Sequence, residues 1–264
     1  MQGVDFLKSI AVEKLEALKG KKAYYENLMK NLKPQNETRY ELFKKAISKQ
    51  GQVNLIAEVK KASPSAGLLR EDFNALQIAD IYVKSKAAAI SVLTEEKYFL
   101  GKFAYLEEIS KHCPVPLLMK DFIVHEYQIY EGRFHGASAV LLIVAMLEDS
   151  QLKDLMMTAA HLGLDCLVEV HDENELERAV SVGAGIIGVN NRHLKSLKVD
   201  INNCLQLIPR IPKGVVVVAE SGLKTHEDIR RLEDIGVNAV LIGEVFMRSS
   251  DISAKVKEVM YGQG

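Results

Sequence analysis

Five apolar runs in this chain each end on a polar or ionisable group, most of them able to move or hold a proton. Leu55-Ile56-Ala57 leads into Glu58 and Lys60, and Leu117-Leu118-Met119 leads into Lys120. Cys166-Leu167-Val168 ends at Glu169, Ile187-Gly188-Val189 at Asn190, Asn191 and Arg192, and Val217-Val218-Ala219 at Glu220, Ser221 and Gly222. Two lysines and three carboxylates gathered in a partly desolvated place perturb one another's proton affinities, which suits them to general acid and base work. Taken singly, each is more often a solvated loop charge or a structural ion pair. Their recurrence at the same end of successive runs is what makes them a candidate site.

Such convergence needs a fold that aims the same end of many strands at one mouth. From Asn54 onward, strand-like runs at 54–59, 87–93, 115–119, 138–144, 164–169, 185–189, 214–219 and 238–242 alternate with stretches of helical period. Among the latter are Asn74 to Lys84, Gln151 to His161, Glu173 to Val182, Asn202 to Ile208 and His226 to Ile235. The runs are apolar on both faces, as strands covered by helices must be. Eight β units with helical crossovers predict a closed (β/α)8 TIM barrel in preference to an open doubly wound sheet. Before it, residues from about 4 to 48 read as helix, broken near Asn31-Leu32-Lys33-Pro34, with Phe6, Leu7, Ile10, Leu15 and Leu18 near one face. Tyr40, Leu42, Phe43 and Ile47 give a second stripe. The reading is one α/β domain over residues 1–264, a TIM barrel from about 51 with an N-terminal helical extension over about 1–50.

Other residues suit a phosphorylated substrate with an aromatic part. Gly222 and Gly243-Glu244 fall in the loops after the seventh and eighth strands, where barrels of this kind hold phosphate on backbone N–H groups. Glycine there also serves plain turns. Lys60 and Arg192 offer cations, and Ser63 a hydroxyl in the rigid Ser63-Pro64-Ser65-Ala66-Gly67 turn. Phe99, Phe122, Leu141 and Leu194 are candidates to wall an apolar slot.

The composition excludes several classes. Lys and Arg number 34 against 35 Asp and Glu, so no basic excess is available for a nucleic-acid backbone. Three scattered cysteines, Cys113, Cys166 and Cys204, argue against a disulfide framework or zinc knuckle and for a reducing cytoplasm. The N-terminal segment carries Asp5, Glu13 and Glu16 and lacks a signal-peptide core, and no run approaches a membrane span. The seven histidines show no metal-binding spacing, and Glu169-Val170-His171 reads as strand alternation as readily as a ligand pair. No GxGxxG, P-loop or GxSxG is present.

The segments AEVKKASPSAG, SVLTEEKYFLG, PLLMKDFIV, GASAVLLI, VEVHDENEL, GVNNRHL, VAESGL and GVNAVLIGEVFM closely resemble, in order, the motifs of the indole-3-glycerol phosphate synthase family. The resemblance covers the chain from about Leu55. It implies conversion of 1-(2-carboxyphenylamino)-1-deoxyribulose 5-phosphate to indole-3-glycerol phosphate with loss of CO2 and water, in tryptophan biosynthesis, without metal or organic cofactor. It implies that Lys120 is the general acid on the substrate carbonyl oxygen and Glu169 its partner in the later proton removal and dehydration. It also implies that Glu58 and Asn190 orient the substrate, that Lys60 stands beside its carboxylate or phosphate, and that Glu220 and Ser221 form an active-site pair. Arg192, Gly222, Gly243 and Glu244 fall at the phosphate end.

Three positions depart from the family pattern. Ala62 and Ala66 stand where lysines are often found, and His193 stands where Asp or Asn is more usual. Two other readings compete: a flavin-dependent barrel oxidoreductase, whose FMN phosphate would use the same loops, and a barrel kept as a binding or assembly subunit. The full charged set argues against both. The expected partner is a small phosphorylated substrate, with no nucleic acid and no membrane, handled by a monomer or weak homodimer.

Overall fold

A computed structural model, describing residues 3–32, 41–192 and 198–263, shows eight parallel strands closed into a barrel. They are β1 (Asn54–Val59), β2 (Ala89–Leu93), β3 (Leu117–Lys120), β4 (Ala139–Ile143), β5 (Asp165–Val170), β6 (Ile186–Asn190), β7 (Val216–Glu220) and β8 (Ala239–Ile242). Each pairs with the next, and β8 returns to β1. Helices follow the strands, among them Ala75–Lys84, Phe103–His112, Glu126–Phe134 and Glu173–Ser181. The runs read as strands all form strands of the barrel, with ends shifted by no more than two residues in either direction.

The twofold alternation of a strand sorts the side chains. Leu55, Ala57 and Val59 of β1 pack with the surrounding helices, whereas Ile56 joins Leu118, Leu141, Leu167, Ile186, Val218 and Leu241 in a separate cluster inside the barrel. Continuing each inward series by two gives Glu58 after Ile56, Lys120 after Leu118, Glu169 after Leu167, Asn190 after Gly188 and Glu220 after Val218. Register then sets these ends at related heights, with Leu93 opposite Lys120, Ile143 opposite Glu169 and Asn190 opposite Glu220.

The floor is closed from the N-terminal segment. Phe43 and Ile47 of the helix Leu42–Ile47 are fully buried against the barrel interior. The backbone N–H groups of Phe43 and Lys44 each donate to Asp165 Oδ2 at 3.0 Å, and Asn54 Nδ2 donates to the carbonyl of Ile47 at 3.1 Å.

The extension differs in detail from its sequence reading. The first helix, Gly3–Leu18, stops before Gly20, whose φ of +75° ends it well ahead of the proline. A second helix, Lys22–Lys30, follows. Lys33, Pro34 and Tyr40 lie outside the described residues. Leu15 is exposed, so the buried stripe of the first helix is narrower than its periodicity suggests. The stretch after β1 is also more ordered than a turn: Ala62-Ser63 pairs antiparallel with Gly67-Leu68 in a small hairpin.

Candidate active site

The charged strand ends form one connected array. Lys120 Nζ lies 2.5 Å from Glu220 Oε2 and 3.2 Å from Glu169 Oε2, and Lys60 pairs with Glu58 beside them. The Lys120, Glu169 and Glu220 side chains are 14%, 5% and 2% exposed, so these are desolvated charges whose interactions are strong. Burial opposes the Lys120 ammonium, but Glu220, Glu169 and Glu58 outweigh it and hold its pKa above the usual lysine range. Burial likewise opposes ionisation of Glu169, yet Lys120 and His171 keep that carboxyl well below the usual range. Glu220 goes the other way. Desolvation pushes it up to about 7, with Lys120 opposing and the Glu169 charge assisting. The result is a strongly held cation, a fixed carboxylate and one acid that exchanges its proton near neutrality.

Two glycines make room for this array. A Cβ on Gly243 would stand 2.6 Å from Glu58 Oε2, and one on Gly188 would overlap Glu220 Oε1. The second oxygen of Glu220 is buried without a hydrogen-bond partner among the described residues. Gly243 thus lies against the carboxylate of Glu58 as well as in the loop read as a phosphate cradle.

The array opens on a cavity of about 1260 Å³. Its walls include Glu58, Lys60, Lys120, Glu169, Asn190, Glu220 and Ser221, together with Ser63, Phe99, Phe122, Leu141, Arg192, Gly222, Gly243 and Glu244. The structure therefore brings together every candidate residue it describes; Leu194 and His193 lie outside the described residues. Phe99 and Phe122 face each other with ring centroids 6.1 Å apart. Ser63 Oγ is buried with no partner among the described residues. After β7, Ser221 and Gly222 both adopt positive φ, +66° and +82°, and Arg192 Nη2 reaches to 4.0 Å from Glu244 Oε2. Asn190 is held at its side chain by the N–H of Arg192 and at its carbonyl by Asn203 Nδ2, each at 2.9 Å.

Sequence reasoning missed residues that set the cavity's shape. Asp121, next to Lys120, is buried and accepts from Thr94 Oγ1 at 2.7 Å while pairing with Lys14 of the first helix at 2.5 Å. That helix also contributes Phe6 and Leu7 to the cavity wall. Glu95 folds the loop after β2 by accepting the N–H groups of Lys97, Tyr98 and Phe99. The carboxylate following Lys120 and the paired acids in Thr94-Glu95-Glu96 were the available signals. Among the described residues no group of three or more His, Cys, Asp or Glu is arranged to hold a metal ion, and no helix is long and apolar enough to cross a membrane.

The model of the indole-3-glycerol phosphate synthase family matches residues 7–259. The chain belongs to that family. It is 54% identical to the indole-3-glycerol phosphate synthase of Acetivibrio thermocellus over 213 residues, 81% of this chain and 82% of that one. The enzyme of the same name from Caldanaerobacter subterraneus is 51% identical over 83% of this chain and 86% of its own. Solved structures share the fold at low identity. A 3-hexulose-6-phosphate synthase from Salmonella typhimurium superposes with a TM-score of 0.64 at 12% identity, covering 79% of this chain and 97% of its own. A tryptophan synthase α-subunit from Pyrococcus furiosus gives 0.61 at 14%, covering 79% and 98%. The chain is thus a carbon–carbon lyase of tryptophan biosynthesis that acts on a phosphorylated small molecule.

Proposed function

We propose that the array around Lys120 performs, in one cavity, the ring closure, decarboxylation and dehydration that turn 1-(2-carboxyphenylamino)-1-deoxyribulose 5-phosphate into indole-3-glycerol phosphate. The observation that carries the division of roles is the placement of one ammonium between two carboxylates of opposite proton affinity. The ring carbon bearing the carboxylate attacks the keto carbon, and the carbonyl oxygen takes the proton of Lys120. An ammonium held this firmly yields its proton only to a strong base, such as the alkoxide formed at that moment. Glu220 then returns a proton to Lys120. CO2 leaves with its bonding pair returned to the ring, which restores aromaticity. The new hydroxyl takes a second proton, from the recharged Lys120, as its carbon–oxygen bond breaks and departs as water, while Glu169 removes the hydrogen on the carbon beside nitrogen.

Glu58, Lys60 and Asn190 orient the substrate's nitrogen, hydroxyls and carboxylate, and Ser221 completes the wall beside Glu220. Phe99, Phe122 and Leu141 receive the aromatic ring, with Leu194 assigned to the same slot from its place in the sequence. The phosphate sits at Gly222, Gly243, Glu244 and Arg192, with Ser63 offering its unpartnered hydroxyl. The reaction assigned to these residues calls on no cofactor. The burial of Phe43 and Ile47 in the barrel floor supports a single folding unit. Three free thiols support a reducing cytoplasm, and large apolar side chains exposed on separate elements, such as Phe134 and Met157, support a monomer or weak homodimer. The test is to supply the anilino-deoxyribulose phosphate and follow indole fluorescence with CO2 release. Stoichiometric formation of both is expected, and their absence in a folded sample would overturn the reading.

A further inference from the structure

Behind the cavity wall a histidine ties the acid–base array to the helix that follows it. His171 is two residues beyond Glu169, so the pleat turns both side chains to one side of the chain. Its Nε2 lies 3.2 Å from Glu169 Oε1 and its Nδ1 3.0 Å from Glu175 Oε2, with the side chain 6% exposed. Glu175 is itself pinned. Its carboxylate accepts the N–H of His171 at 2.8 Å, and its own N–H donates to Asp172, the cap of the helix Glu173–Ser181. The carbonyl of His171 accepts from Asn203 Nδ2, the same group that holds the carbonyl of Asn190. The charged groups facing the ring are thus Glu169 near the end of β5 and Glu175 from the helix packed beside it, with neutral Asn203 at its backbone.

A neutral imidazole has one N–H and would turn a lone pair toward one of these carboxylates. Only the imidazolium suits both. Burial opposes that charge, yet Glu169 and Glu175 raise the ring's pKa to about 10. The contact to Glu169 is out of line for a hydrogen bond, so the ring acts there as an adjacent positive charge. Lys120 takes the other oxygen of Glu169, and neither His171 nor Glu175 lines the cavity.

We propose that His171 is a positioning residue: its imidazolium, anchored by Glu175, fixes the orientation of Glu169 and keeps it ionised for proton removal. The proposal rests on the role given to Glu169 above. His171→Gln keeps a polar side chain and removes the charge, whereas Glu175→Gln keeps the ring and removes the charge that anchors it. Both are compared with the wild-type chain in kcat, KM and pH profile, and the isotopically labelled Glu169 carboxyl is titrated by NMR. In His171→Gln, kcat is expected to fall roughly ten- to a hundred-fold with KM nearly unchanged. The Glu169 titration should rise by about one to three units, because a neighbouring cation lowers a carboxyl by that much. Glu175→Gln should move both in the same direction by less. A Glu169 titration unchanged in both variants overturns the proposal even if turnover falls, since a histidine that only supports the fold would not move it. If the titration moves but Glu169→Gln turns over normally, the positioning stands and the role assigned to Glu169 falls.

Discussion

Lys120 and Glu220 meet across the barrel mouth with 2.5 Å between Nζ and Oε2, although 100 residues separate them in the chain. The ammonium is thereby fixed from β7 while Glu169 reaches it from β5. Lys120→Ala should lower kcat by about three orders of magnitude, within the range for loss of a general acid, and leave KM within a few-fold. Steady-state kinetics decide it. Turnover near the wild-type value would remove Lys120 from the chemistry.

Glu169→Gln should cost more in kcat than Glu58→Gln. The isosteric amide keeps the shape and removes the base, a loss of about two to four orders of magnitude for a proton-transfer group. An orienting carboxylate loses less, because Gln still accepts a hydrogen bond from its neighbour. Turnover against pH for the two variants separates the roles, and the reverse ordering with an intact wild-type profile for Glu169→Gln would exchange them.

Gly243→Val should damage kcat as well as KM. A phosphate cradle alone predicts weaker binding, but any Cβ at this position meets Glu58 Oε2 at 2.6 Å and must displace it. The expected outcome is at least a ten-fold loss in kcat alongside the rise in KM. A variant impaired in KM alone would show that Glu58 can shift without consequence.

Stability should fall on the alkaline side, and His171 sets the sign. Its folded pKa of about 10 exceeds the ordinary 6.5, so its contribution is complete below 6.5 and disappears as pH rises through about 10. Glu220, raised from 4.5 to about 7, makes stability decline across that lower interval, because the folded form keeps a proton that the unfolded chain releases. Denaturant midpoints for the wild-type chain and His171→Gln, measured from about pH 6 to about pH 10, should converge as pH rises. Parallel curves would show that the ring is neutral in the folded state.

The barrel was legible in the sequence because its strands are covered on both faces and therefore read as unbroken apolar runs. The polar groups were legible because the last inward position of each strand is the one exposed to the mouth. What escaped was anything defined by a particular side-chain or backbone contact, as opposed to position along a strand. Lys14 gains its meaning from Asp121, and Glu95 from three backbone N–H groups in its own loop, neither of which periodicity reports. The reading of His171 stays open between alternation and a ligand pair because the partner that fixes it, Glu175, belongs to the next helix. The hairpin at Ala62–Leu68 is too short for a pattern to mark it.

The floor of the barrel has a bearing on how the chain reaches this state. The helix Leu42–Ile47 emerges early in synthesis, but the acceptor for its first N–H groups, Asp165, lies 121 and 122 residues further on, and Asn54 bonds to Asn238 across 184. A helix made ahead of the barrel strands is therefore satisfied only once most of those strands have been made. Until β5 and then β8 arrive, Phe43 and Ile47 have no interior to enter, so the nascent chain carries an exposed apolar turn until those strands are made. A shortened chain ending before β8 should leave that turn uncovered and prone to self-association, which makes completion of the last strand the event that seals the first.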